Sequence, residues 1–170
     1  MSQHVVITGA RSGVALRLAE RLRARGCRLA LISREPPAAE DDVVQADVTD
    51  PAQAAGAFAD VLAMQGRPAD GFVHCVGSTL IASIERTSAE QFREVFRINV
   101  DSAFHCIKAY VAQLKAAGQP GSIVLYSSVV AGIGVQNHVA IAAAKGAIEA
   151  MVRSLAADLS GAGIRINAIA

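Results

Sequence analysis

Short apolar runs alternate with longer stretches of helical period from one end of the chain to the other, and nothing else in the sequence narrows its possible folds as far. VVIT at positions 5–8 and LALIS at 29–33 lack the polar alternation of a strand wetted on one face. Strands of that kind belong in a parallel sheet, where helical crossovers return the chain and cover both faces. The pattern predicts strands over residues 4–8, 29–33, 43–46, 71–75, 122–127 and 165–170. It therefore predicts an α/β fold, a doubly wound parallel sheet in three layers of helix, sheet and helix. At 170 residues and 52% hydrophobic content the chain can bury a sizeable core, and residues 1–170 are expected to form one domain.

Helix signals fall between those strands. Val14, Leu18 and Leu22 repeat every fourth position and predict a helix over 14–25, closed by Gly26. Asp50 followed by Pro51 marks another start, because the carboxylate can cap free N–H groups and proline suits the first helical position. Thr87 with Glu90 three residues later matches a capping box, and the helix it opens is expected to run past Asn99 to about residue 116, with a break near Asn99. Residues 36–42, which begin Pro36-Pro37, are expected to form a surface loop.

Charge and cysteine content exclude several classes. Sixteen basic residues against fifteen acidic ones leave a net charge of +1, so no field favours nucleic acid or an anionic membrane. The start MSQHVVITGA has no basic segment followed by an apolar core, and no apolar run is long enough to span a bilayer. A soluble, cytoplasmic protein is expected. Cys27, Cys75 and Cys106 are odd in number and form no CxxC, which predicts buried thiols and neither a disulfide frame nor a metal site.

The candidate chemistry begins in VVITGARSGVALRLAERL, positions 5–22. Gly9 and Gly13 would let the backbone turn sharply between strand and helix and approach a pyrophosphate at the positive helix N-terminus. Thr8-Gly9-Ala-Arg11-Ser12-Gly13-Val14-Ala15 resembles the TGxxxGxG motif of the short-chain dehydrogenase/reductase family, with Ala15 in place of the last glycine and expected to crowd the helix slightly against the strand. Further motifs follow in that family's order. Asp47-Val48 is similar to the pair that meets the adenine ring, and His74-Cys75-Val76-Gly77 stands where the family has NNAG. Asn99 and Ser128 match the family's catalytic asparagine and serine, and Lys145 the lysine of YxxxK. GIRINAIA resembles the strand that usually precedes Pro-Gly.

The resemblance implies a Rossmann-type fold, a nicotinamide cofactor and hydride transfer between carbonyl and alcohol, closest in flavour to 3-oxoacyl-ACP reductases and related alcohol or sugar dehydrogenases. Where an acidic residue would accept hydrogen bonds from the ribose of NAD, this chain has Ser33 and Arg34. An arginine there can grip a 2′-phosphate bidentately, and Arg11 can add a second positive group, so NADP(H) is expected over NAD(H). Two departures stand out. The family's tyrosine, which protonates the carbonyl oxygen, is replaced by Ile141, although Asn99, Ser128 and Lys145 remain. Lys145 would still hold the nicotinamide ribose. The chain also ends where relatives continue into a substrate-binding segment, so an open substrate side and a raw last strand are expected.

His138, three residues before Ile141, is a possible substitute acid; Tyr126, on the strand before Ser128, is more readily a core residue. His74 and His105 are expected to have no role. The small-residue helix around Lys145, with the helix carrying Phe104 and Tyr110, corresponds to the family's four-helix dimer interface, so a homodimer or homotetramer acting on a small carbonyl or alcohol is expected. Two readings stay open: an atypical or slow NADP-dependent oxidoreductase, and an inactive cofactor-binding or interaction protein that pairs with an active relative.

Overall fold

The computed structural model describes residues 2–35 and 42–170. Six parallel strands, β1 (His4–Thr8), β2 (Arg28–Ser33), β3 (Asp42–Gln45), β4 (Gly71–His74), β5 (Gly121–Tyr126) and β6 (Ile164–Ile169), lie in the order β3-β2-β1-β4-β5-β6. The chain winds outward from β1 to β3 and then crosses to β4, so the winding reverses beside β1. A crevice opens at the carboxyl ends of the strands at such a reversal. Thr8, the last residue of β1, pairs with Ile32 on one side and His74 on the other, which puts three chain segments at the head of that crevice.

Helices cover both faces, as the aliphatic strands require. On one side α2 (Pro51–Gln65), α4 (Ser102–Ala117) and α5 (Val139–Leu159) bury Phe58, Phe72, Tyr110, Leu114, Ile123 and Ile148, with the Phe58 and Phe72 rings edge to face at 5.2 Å. On the other, α1 (Gly13–Arg23) lays Ala15 and Ala19 on Val5, Ile7, Leu29 and Leu31. The Ala15 methyl, expected to crowd helix against strand, is part of that packing. The result is the doubly wound α/β architecture that the alternation predicts.

All six predicted strands form, with ends displaced by at most one residue. The helix starts differ more instructively. Ser12 accepts a hydrogen bond from Ala15 N at 3.2 Å and caps α1, so the helix begins at Gly13, and it ends at Arg23 rather than at residue 25. Asp50 caps α2 as expected, accepting from Gln53 N at 2.8 Å. The capping box of α3 (Ala89–Phe96) is one residue later than its spacing suggests. Ser88 Oγ accepts from Gln91 N and Gln91 Oε1 accepts from Ser88 N, whereas the Thr87 hydroxyl donates to Ser83 O. The break near Asn99 is a π-turn over Arg97–Asp101 that joins α3 to α4. The predicted 36–42 loop lies outside the described residues except for Asp42, which opens β3.

Cys106 is buried, Cys27 and Cys75 are half-buried, and all three are free thiols. Tyr110 points into the core and donates to Ala69 O at 2.8 Å, whereas Phe104 is 52% exposed. Among the described residues no helix is long and apolar enough to cross a membrane, and no three His, Cys, Asp or Glu side chains gather where they could hold a metal ion.

Candidate functional site

The turn from β1 into α1 shows why glycine is needed at one of its two positions on steric grounds. Gly9 has φ +69°, and a Cβ there would lie 2.7 Å from the carbonyl carbon of Cys75. No L side chain fits that contact or that backbone region comfortably. An added Cβ on Gly13 would meet nothing within 4 Å, so the backbone at the start of α1 is open to an approaching group.

Thr8, a residue expected to touch a cofactor, instead turns its side chain inward. Its hydroxyl lies 2.8 Å from His74 Nδ1, and His74 Nε2 lies 3.0 Å from the hydroxyl of Ser102, which donates to Ile98 O. Because Ser102 spends its proton on that carbonyl, Nε2–H of His74 donates to Ser102 and Nδ1 accepts from Thr8. Burial, with the charge of Lys145 adding to it, pushes the imidazole down to about 3, so it is neutral. His74, expected to have no role, joins the end of β1 to the π-turn.

A cleft of about 260 Å³ opens above this layer. Gly9, Arg11 and Ser12 form one end, Ser33 and Arg34 follow from the end of β2, and Asp47 and Val48 come from the turn after β3. Val76 and Gly77 come from after β4, while Thr8, Gly13, Val14 and Lys145 of the expected set are not in its wall. Arg97, Ile98 and Thr49 also line it, although nothing in the sequence singled them out. Their position depends on how the π-turn folds back over the crevice, which no local spacing encodes.

The charges in the cleft are unequal. Arg11, read as a second positive group, is ion-paired with Glu35, so its charge is already matched. Arg34 has no ion pair among the described residues, and its carbonyl accepts from Gln45 Nε2 at 2.9 Å. At Asp47 burial works to raise the pKa, but bonds from the Thr49 hydroxyl and N–H, with Arg34 and Arg97 nearby, outweigh it and hold the carboxyl below its ordinary range. His105 lies with Nδ1 3.4 Å from Val48 O.

Beside Gly77, at the far end of the cleft, two of the three matched residues meet, Asn99 and Lys145. Asn99 is 2% exposed and its amide nitrogen donates to Val95 O and Ser78 O at 2.9 and 3.1 Å. Its Oδ1 is buried without a partner among the described residues. That oxygen and Lys145 Nζ converge over Gly77, 3.1 and 3.7 Å from where a Cβ on this glycine would stand. Lys145 Nζ donates to Tyr126 O at 2.7 Å, and burial lowers its pKa. Ser128 lies just beyond β5, its hydroxyl accepting from Val130 N at 3.4 Å.

Ile141, one turn before Lys145, is 5% exposed and packs with Val95, Ala140 and Ala144 against Phe92, Phe96 and Leu80. His138 precedes α5 rather than sitting within it, and its Nδ1 lies 2.5 Å from Gln136 O on the wall of a separate groove with Ile133 and Val139. The Tyr126 hydroxyl bonds to the Cys75 thiol, which burial pushes up to about 12. Among the described residues neither the His138 ring nor the Tyr126 hydroxyl hydrogen-bonds to Asn99 or Lys145, which reaches Tyr126 only at its backbone carbonyl.

A sequence model of the family described as enoyl-(acyl carrier protein) reductase matches residues 9–170. The chain is 33% identical over 153 residues to the inactive 2-(S)-hydroxypropyl-CoM dehydrogenase 2 of Xanthobacter autotrophicus, covering 85% of this chain and 66% of that protein. It is 32% identical over 171 residues to the 3-oxoacyl-[acyl-carrier-protein] reductase MabA of Mycobacterium avium, covering 100% of this chain and 66% of the relative. The crystal structure of NAD+-bound xylitol dehydrogenase superposes with a TM-score of 0.91 at 29% identity, over 99% of this chain and 69% of the other. The chain thus spans about two thirds of the length of its curated relatives.

Proposed function

We propose, because this chain belongs to the short-chain dehydrogenase/reductase family, that its cleft binds NADP(H) and that it is an oxidoreductase of the carbonyl/alcohol type with strongly reduced turnover. The residues suit a dinucleotide. The Gly9 turn lies on the next strand and the Gly13 backbone is open, as a pyrophosphate at a helix N-terminus needs. Arg34 supplies a cation at the end of β2, where a 2′-phosphate would be read.

The observation that carries the reading is the meeting of Asn99 Oδ1 and Lys145 Nζ over Gly77 while the neighbouring Ile141 is sealed in apolar packing. When bound, the nicotinamide gives or takes the hydride. Lys145 would hold the ribose, Asn99 would accept a hydrogen bond from a hydroxyl or water there, and Ser128 would donate to the substrate oxygen. The isoleucine at position 141 has no proton to pass to that oxygen. General acids contribute on the order of 10²–10⁴ in rate, so binding outlasts efficient chemistry.

A second reading, an inactive partner for an active relative, is favoured by the burial of Ile141 and by likeness to a dehydrogenase named inactive. We also expect one domain over residues 1–170, and a homodimer or homotetramer in the cytoplasm, where free thiols persist. Calorimetric titration is expected to show NADPH binding at least about tenfold tighter than NADH, the difference one bidentate phosphate contact supplies. Equal affinities would refute the NADP assignment. Ile141→Tyr is expected to raise ketone reduction by about 10²-fold or more; an Ile141→Tyr protein that binds NADPH but reduces no ketone would support the inactive-partner reading.

A further inference from the structure

We infer that Arg97 is a base-stacking residue of the cleft, receiving the adenine of the bound nucleotide on the flat of its guanidinium while Arg34 takes the phosphate. The inference rests on the nucleotide reading above and divides the work of two arginines within it. Both guanidiniums act on Asp47, and both line the cleft. Their surroundings differ.

The edge of Arg97 is already committed. Nε and Nη2 donate to the two oxygens of Glu94, each at 2.7 Å, and Nη1 donates to Thr49 Oγ1. Thr49 in turn donates to Asp47 Oδ1 at 2.7 Å, so the π-turn is tied through this arginine to the turn after β3. Three of the five guanidinium donors are taken, and the bidentate carboxylate balances the charge. A phosphate arriving there would compete with Glu94 and gain little. What such a fixed, neutralised guanidinium still offers is its planar surface, with the side chain 43% exposed. Flat aromatic heterocycles stack on that surface without needing its donors. Apolar Ile98 and Val48 line the same cleft and suit a base on its other contacts. Arg34, with no ion pair among the described residues, has the free edge an incoming phosphate requires.

The test uses adenosine, adenosine 2′-monophosphate and NADPH as probes with the full chain, followed by calorimetry and NMR. In the wild type, adenosine is expected to move the Arg97 Hδ resonances upfield, the mark of a ring lying over the side chain. Arg97→Met and Arg97→Lys are both expected to weaken adenosine about 3- to 30-fold, since each removes the plane. The preference for adenosine 2′-monophosphate over adenosine stays unchanged in both and collapses in Arg34→Gln. If Arg97→Lys binds adenosine as well as wild type while Arg97→Met does not, charge alone acts and stacking is overturned. If wild type binds NADPH and both Arg97 variants bind adenosine normally, the inference falls and the nucleotide reading stands. If wild type binds none of the three probes, both fall together. Thermal midpoints of the variants identify any loss caused by unfolding, and the wild-type Hδ shift decides the matter without a variant.

Discussion

A neutral imidazole fixed between two hydroxyls makes stability depend on pH in a predictable direction. His74 titrates near 6.5 when unfolded, and burial depresses it to about 3 in the native chain. Between those values the unfolded chain holds a proton that the folded chain refuses. The stabilisation is therefore complete above about pH 6.5 and is lost as pH falls toward the native pKa, by at most about 1.4 kcal/mol per pH unit. Urea unfolding at about pH 7 and about pH 5 should show a drop of about 2 kcal/mol. His74→Asn should flatten most of it. A residual slope is expected from His4, whose pKa burial, then Arg67 and Arg28, also lower. An unchanged slope in His74→Asn would locate the titration elsewhere.

Among the elements, α3 offers a clean test of its boundary. Ser88→Ala should cost about 1 kcal/mol, because it leaves the Gln91 N–H without its cap. Thr87→Ala should cost less, since that hydroxyl only donates to Ser83 O. Urea midpoints that reverse this order would move the capping box back to the Thr87 register.

The elements also show what a sequence can and cannot reveal. Contiguous aliphatic runs marked β1 and β2, buried on both faces, whereas β6 alternates buried Ile164 and Ile166 with exposed Arg165 and Asn167. Gly9, Asn99 and Lys145 were legible as motif members, and the chain brings the latter two together over Gly77. Arg97 was not, because its place at the cleft depends on a π-turn and on contacts 48 residues away with Thr49. His74 was hidden for the same reason: its partners Thr8 and Ser102 lie 66 and 28 residues away.

At the scale of the molecule, one outer face remains apolar. Phe104, Ile107 and Val111 of α4 line a shallow hollow with Leu155 and Leu159 of α5. Two antiparallel copies of such a helix pair would cover Phe104, Val111 and Leu155 as a four-helix bundle, and the small residues of α5 allow close approach. Sedimentation at micromolar concentration should give at least a dimer. Phe104→Glu should shift it to monomer, because it places a carboxylate where apolar surface would be buried. A monomeric wild type would dismiss this face as an assembly surface.

The sheet is also held unequally from side to side. β5 is bonded along both flanks, by β4 and β6, whereas among the described residues β3 and β6 are each bonded along one. Ser127 N donates to Ile169 O at 2.7 Å, so the final rung of that ladder secures the residue just before Ser128. The glycine turn is thus stitched into the middle of the sheet, Gly9 N donating to Ile32 O at 2.9 Å, while the serine of the site follows the last rung between β5 and β6.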